Sequence, residues 1–207
     1  MAINTAVKSP ADLANVALVR MGYKAMVGSL YDGSTAGTKL LNIYAQTRDE
    51  ALREHDYDFA ERSVSLTLLK QAPSTGYFPP TTWDPTLYPP PGFAFEYGFP
   101  DDALKIRNVK QQPMFLFNAD PQPNAFQIAN DNSFTPAQRV ILCQVPSAVG
   151  VYTAQVTDPA TWDVAFTDYL AAKLARHLAA GLVGLEGAKM EAAAEKDAAE
   201  PAMTDGR

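Results

Sequence analysis

Two hydrophobic rhythms alternate along this chain. Near the N-terminus apolar residues recur at helical spacing: Leu13, Val16, Ala17 and Val19 form one stripe, with Ser9-Pro10 supplying a cap and a first-turn proline and Asp12 near the positive end of the dipole. This predicts a helix over 9–22, ended by Gly22. A linker carrying Gly28, Gly33 and Gly37 leads to a longer helix over 34–58, whose core stripe is Leu40, Leu41, Tyr44, Ala51 and Leu52. Its other face is charged, and Asp49 followed four residues later by Arg53 is helix support of about 0.2–0.5 kcal/mol. A third helix is expected over 159–183, opened by Asp158-Pro159. It carries Trp162, Phe166, Tyr169, Leu170, Leu174 and Leu178, with alanines between them that let neighbouring helices approach.

Between the second and third helices the period changes to two. In Arg62-Ser-Val-Ser-Leu-Thr-Leu-Leu69, residues Val64, Leu66 and Leu68 fall on one side and Ser65 and Thr67 on the other. In Phe93-Ala-Phe-Glu-Tyr-Gly-Phe99 the residues Phe93, Phe95, Tyr97 and Phe99 share a face, and Pro100-Asp101-Asp102 closes the strand with a turn. Shorter strands are expected over 104–109, 114–117, 126–128, 139–144 and 150–156, and spacers too short for crossover helices make them an antiparallel meander. The expected fold class is α+β: a helical bundle built from the N- and C-terminal helices, with an inserted antiparallel β-sheet region and a C-terminal extension. The outer helices need each other to bury their faces, so 1–183 reads as a single domain with a β insert over 62–157, and 184–207 as the extension.

Two stretches depart from this alternation. Residues 71–100 hold eight of the sixteen prolines and eight of the aromatic residues. This Pro-rich loop, centred on 71–92, is either an ordered loop whose Tyr77, Phe78, Trp83 and Tyr88 pack on their own domain or a polyproline segment preformed for a partner. Beyond Gly181, Gly184 and Gly187 comes an Ala/Glu/Lys segment with Met190 as its one large apolar residue. Such a segment has helix propensity but no face to bury alone, so it is expected to order on a partner.

Composition narrows the functional classes. The chain of 207 residues carries a formal charge of −6 and a pI near 4.9, which argues against a surface devoted to gripping nucleic acid. Cys143 stands alone among Val140, Ile141 and Leu142 and reads as a small core hydrophobe. No signal-like apolar run opens the chain. The apolar run over 164–183 is interrupted by Asp168, Lys173, Arg176 and His177, so no membrane span is expected. Glu54 and Asp58, four apart, read as a solvated helix face rather than a catalytic acid pair. His55 and His177 lack metal-ligand spacing, and Gly28 and Gly33 lack that of a phosphate loop. No catalytic residue, metal or cofactor is expected. Arg48, on the core-facing side of its helix, either pairs with a carboxylate of the third helix, Asp168, or snorkels to water.

The local wording of three segments carries a resemblance. Arg48-Asp49-Glu50-Ala51-Leu52 leads into Tyr57-Asp58-Phe59-Ala60 and a Ser-x-x-Leu strand; Phe99-Pro100-Asp101-Asp102 precedes a second strand; and Val156-Thr-Asp158-Pro159-Ala-Thr-Trp162 opens a return helix. In this order the chain resembles the head-to-tail adaptors of short-tailed bacteriophages, the tail tubular protein A or tail accessory factor family, across about 9–183. Tyr57 stands where that family more often has Trp, and the Pro-rich loop is longer than usual. The resemblance implies a structural connector in the virion neck, assembled in the host bacterial cytoplasm: a homo-oligomeric ring of roughly twelve copies joining the portal to the tail nozzle. Genomic DNA would pass through its lumen without sequence-specific binding. Portal contacts would come from the extension, at Glu186, Lys189, Met190, Glu191, Glu195 and Lys196, and nozzle contacts from Tyr77, Phe78, Trp83 and Tyr88. Arg48, Asp49, Leu52, Tyr57, Phe59, Ala60, Pro100, Asp102, Asp158 and Pro159 would be structural. A neck or tail-completion protein of long-tailed phages, and a peptidoglycan-degrading enzyme using Glu54, stand as alternatives.

Overall fold

The computed structural model describes residues 7–73, 83–111 and 124–182. The expected strand over 114–117, the aromatics Tyr77 and Phe78, and all six expected portal contacts lie outside them. The chain divides into two compact units, Met1–Glu61 with Gln155–Arg207, and Arg62–Ala154.

The first unit contains the helices α1 (Pro10–Arg20), α2 (Thr35–Glu54) and α3 (Val164–Leu182). Ser9 caps α1 by accepting from the Asp12 N–H, and Gly22, at φ +70°, turns the chain out of it, a conformation that L side chains rarely adopt. The Asn15 amide then clamps the linker through both backbone groups of Val27, at 3.0 and 2.8 Å. Ser34 caps α2 through the Gly37 N–H at 3.0 Å. Both α1 and α2 pack on α3, where Phe166, Thr167, Tyr169, Leu170, Leu174, Ala175, Leu178 and Ala179 are buried. The chain leaves α2 through a 3-10 turn, Asp58–Ala60, and here Tyr57, Phe59, Trp162 and Phe166 meet. The Phe166 ring centroid lies 4.9 Å from Tyr57, 5.2 Å from Phe59 and 5.1 Å from Trp162.

Asp158-Pro159 opens a single 3-10 turn, Pro159–Thr161, and not the third helix itself. The extended backbone at Trp162 breaks the path, and α3 starts afresh behind Asp163, whose carboxylate accepts from the Phe166 N–H at 2.6 Å. Leu41, expected in the core, is 38% exposed.

The second unit is a sandwich of two antiparallel sheets. Its strands are β1 (Glu61–Ser65), β2 (Leu68–Gln71), β3 (Phe95–Gly98), β4 (Ala103–Gln111), β5 (Phe126–Asp131), β6 (Gln138–Cys143) and β7 (Ala148–Ala154). One sheet has the order β1-β7-β4 and the other β2-β3-β6-β5. Between them lies a core of Leu66, Tyr97, Ile106, Val109, Ile141, Cys143, Val145, Ala148 and Tyr152, with Phe95 and Phe99 packed against it. Tyr97 ties the middle together, its hydroxyl donating to the Val145 carbonyl at 2.8 Å and accepting from the Ala148 N–H.

Three expectations are corrected here. The architecture is α+β, but it is three helices with two antiparallel sheets of three and four strands, not a helical bundle with one inserted sheet. The strands have enough apolar faces to enclose a core of their own. The strands are no meander either, because β7 lies between β1 and β4, and β6 between β3 and β5. The single strand expected over 62–69 is two strands in different sheets. β1 is exposed along its whole length, Val64 and Leu68 are 41% and 47% exposed, and Leu66, at the crossing, alone goes inward.

Leu66 is held by its N–H to the Ala148 carbonyl at 2.9 Å, and its side chain occupies the space where a Cβ on Gly150 would stand, 2.8 Å from Leu66 Cδ2. Gly150→Ala should therefore destabilise by about 1–3 kcal/mol through overpacking. The cost should shrink in a Leu66→Ala background, which urea unfolding of the double-mutant cycle measures. Additive costs would show that the two residues do not compete for that space.

Candidate functional site

The four-stranded sheet has a second face, turned away from the sandwich core. Because side chains alternate along a strand, Phe95 and Tyr97 of β3 and Ile141 and Cys143 of β6 go to the core. Glu96, Val140 and Leu142 go to the opposite side. In this register Lys70 of β2 stands beside Glu96, and Glu96 beside Leu142 of β6. The loop 83–92 covers this face, so Glu96 is 1% exposed and Lys70 6% exposed.

Lys70 organises the site. Its Nζ donates to the Pro85 carbonyl at 2.7 Å, to Ser133 Oγ at 2.8 Å and to Asp131 Oδ2, lies 3.6 Å from Glu96 Oε1, and stands over the Phe134 ring at 5.1 Å. One ammonium therefore connects β2, the covering loop and the turn after β5. Asp131 is further held by the Ser133 N–H at 2.8 Å.

The two carboxyls are driven in opposite directions. Burial pushes Glu96 up to about 7, a hydrogen bond shared with Asp131 adds to this, and Lys70 opposes it. Burial also acts on Asp131, but its hydrogen bonds to Lys70 and Ser133 outweigh it and hold the group down at about 2. Glu96 Oε1 is buried without a hydrogen-bond partner. A cavity of about 380 Å³ adjoins the cluster, lined by Trp83, Pro85, Tyr88, Pro90, Val140 and Leu142 besides the charged groups. Trp83 is fixed by its indole N–H, which donates to the Pro89 carbonyl at 3.0 Å.

Of the aromatics expected at the nozzle, Trp83 and Tyr88 thus line this cavity. Nothing in the local pattern marks Lys70, Glu96 and Asp131 as a site, because an acid between Phe95 and Tyr97 looks like an ordinary outward residue. The available signal was Val140-Ile141-Leu142-Cys143, an unbroken apolar run that marks a central strand covered on both faces.

The residues carrying the family resemblance stand elsewhere. Arg48 is 7% exposed and pairs not with Asp168 but with Asp49, at 2.8 and 2.6 Å, and Asp49 also accepts from Gln155 at 2.6 Å. Asp168 is the partner of Arg20. Leu52, Tyr57 and Ala60 are buried, and Phe59 is half-buried. Asp102 accepts from Tyr152 at 2.8 Å and from Arg62 at 2.7 Å, next to the half-buried Pro100. Asp158 accepts from the Ala160 N–H at 3.0 Å, over a buried Pro159. Glu54 is not a freely solvated acid. It accepts from Tyr169 and, at 2.5 Å, from the buried Lys173; burial raises its pKa, and those two hydrogen bonds outweigh that and lower it. Among the described residues no group of three or more metal-ligating side chains occurs, and no helix is long and apolar enough to cross a membrane.

No protein-family model matches the chain. No curated protein sequence matches it either.

Two measurements test the buried cluster. Lys70→Met should destabilise by about 3–5 kcal/mol, because it leaves a buried carboxylate without its counter-charge; urea unfolding reads this, and a loss below about 1 kcal/mol would contradict the burial of the pair. The Glu96 carboxyl, raised in the folded state, contributes stability below its unfolded value of 4.5 that is lost as pH rises through about 7. Asp131 has the opposite sign, stabilising above 3.8 and losing that contribution as pH falls through about 2. Glu96→Gln should flatten the decline between those two Glu96 values and leave the variant about 2 kcal/mol more stable than the parent in mild alkali. Unfolding curves across that range check it.

Proposed function

We propose that this chain is a structural subunit of a phage neck: a head-to-tail adaptor that forms a ring, attaches to the portal and joins it to the tail nozzle. One observation carries the reading. The segments whose wording resembles the adaptor family are separated by about a hundred residues in sequence, yet Tyr57-Asp58-Phe59-Ala60 and the Asp158-Pro159 to Phe166 stretch converge on one aromatic cluster around Phe166. Residue types chosen for mutual packing explain why such wording recurs without any catalytic grouping attached to it. The acidic balance of −6 also suits a passage through which DNA must slide without being held by its phosphates.

In this reading Trp83 and Tyr88 belong to the nozzle side, and 184–207, with Glu186, Lys189, Met190, Glu191, Glu195 and Lys196, to the portal side. Many weak extensions on one ring engage a rigid partner at high effective concentration.

Purified protein mixed with the portal of the same phage should give rings of one defined symmetry seated on the portal in electron images. Deleting 185–207 should leave the melting curve unchanged and abolish attachment. A protein that stays monomeric beside its portal, or that clears a cell-wall substrate in a manner abolished by Glu54→Gln, would overturn the proposal.

A further inference from the structure

The loop 83–92 covers the sheet face while burying little of itself: Pro85, Thr86 and Leu87 are exposed, and within it only Pro89 is buried. Its internal bonds, from the Leu87 and Tyr88 N–H groups to the Asp84 carbonyl and from Trp83 to Pro89, keep its shape and not its place. Gln144 holds its far end through the Gly92 carbonyl, and Lys70 holds its first half through the Pro85 carbonyl at 2.7 Å. The Lys70 bond belongs to a group that carries a proton. Glu96 and Asp131 are joined by a hydrogen bond, and two carboxyls share one only while one of them keeps its proton. Lys70 and Ser133 hold Asp131 ionised, so the proton is on Glu96. In that state the cluster of one ammonium, one carboxylate and one carboxylic acid is neutral. The three Lys70 protons go to the Pro85 carbonyl, Ser133 and Asp131, and Glu96 Oε1 waits 3.6 Å from Nζ.

We infer that the proton held between Glu96 and Asp131 latches the loop 83–92 onto the sheet, and that its loss frees the loop and uncovers Trp83, Tyr88 and the face beneath. When the proton leaves to water, the bond between the carboxyls goes with it, and two carboxylates compete for one buried ammonium. A bond to a carboxylate is roughly twice as strong as one to a neutral carbonyl, so Lys70 turns one N–H from Pro85 to Glu96 Oε1. Ser133 does not give way instead, because its N–H and hydroxyl are tied to Asp131 at 2.8 and 3.0 Å. Pro85 is exposed and exchanges Lys70 for water. The charged and titratable groups around Glu96 are Lys70 from β2, Asp131 at the end of β5, and Asp84 and Tyr88 from the loop, while β6 presents Val140 and Leu142. Asp84 is kept below the usual carboxylate range by Thr86 and stays ionised throughout. The latch lies within the sheet unit and does not depend on the connector reading.

The test follows two probes in the full chain between about pH 6 and about pH 8. Trp162 is 1% exposed, so acrylamide quenching of tryptophan fluorescence reports Trp83. Quenching should rise about twofold, with a midpoint at about pH 7 and a constant far-ultraviolet dichroism spectrum. Val140 is 1% exposed under the loop, whereas the native Cys143 is sealed in the sandwich core. Val140→Cys should therefore react with a thiol reagent roughly tenfold faster at the upper pH than at the lower, after normalisation to a free cysteine, as the ionised share of Glu96 rises from about a tenth to about nine-tenths. Glu96→Gln, whose amide still donates to Asp131 but cannot ionise, should keep both probes at their low-pH values throughout. Flat quenching in the parent, an equal rise in Glu96→Gln, pH-independent labelling of a folded Val140→Cys, or a rise accompanied by loss of dichroism would each overturn the inference.

Discussion

The ammonium of Lys70 decides whether the second face of the four-stranded sheet can be covered at all. Without it the loop 83–92 would close over two carboxyls, and their desolvation would exceed what Pro85, Tyr88 and Pro90 gain by packing. With it, three separate pieces of chain share one cation, and the sheet is buried on both sides. The consequence is visible in β6, where four successive residues, Val140 to Cys143, are all buried. Within the cluster Glu96 Oε1 makes no hydrogen bond and meets the Lys70 ammonium at 3.6 Å.

The helical unit meets a similar demand in a looser way. Lys173, 3% exposed on α3, is neutralised by Glu54 and, at 3.4 Å, by Glu50, both at the end of α2. Their outer sides remain in contact with water, so solvent shares the load and the pair contributes less than its geometry suggests. Around it Tyr169 and His55 stack edge to face, and the aromatic cluster about Phe166 continues the same surface. The polar and the aromatic contacts together fix where α2 ends, which explains why the turn after Glu54 is so rich in rings.

Much of the local structure was legible in the sequence, and the reasons are local. Ser9, Ser34 and Gly22 act at the helix boundaries that their chemistry announces, because a cap satisfies backbone groups within a few residues of itself. The alternation of Phe95, Tyr97 and Phe99 correctly reported the face that meets the core, since a strand's period depends on its own backbone. Cys143 is buried in the run that surrounds it. The charge and the absence of familiar catalytic spacing narrowed the functional classes without locating a site.

What only the tertiary structure decided is which faces are covered and which strands are neighbours. Val64, Leu66 and Leu68 alternate as one strand would, but the chain passes from one sheet to the other at Leu66, and the outer two stay exposed. Nothing within eight residues records that exchange, because it depends on β7 and β3 arriving from more than twenty residues away. Likewise Glu96 reads as solvent-facing until a loop folds over it, and Arg48 finds its carboxylate next door rather than across the unit. Periodicity states that a face is buried or free relative to its own segment. The partner that buries it is a long-range contact, set by loop closure and by competition among many apolar faces, and it leaves no signature in the segment itself.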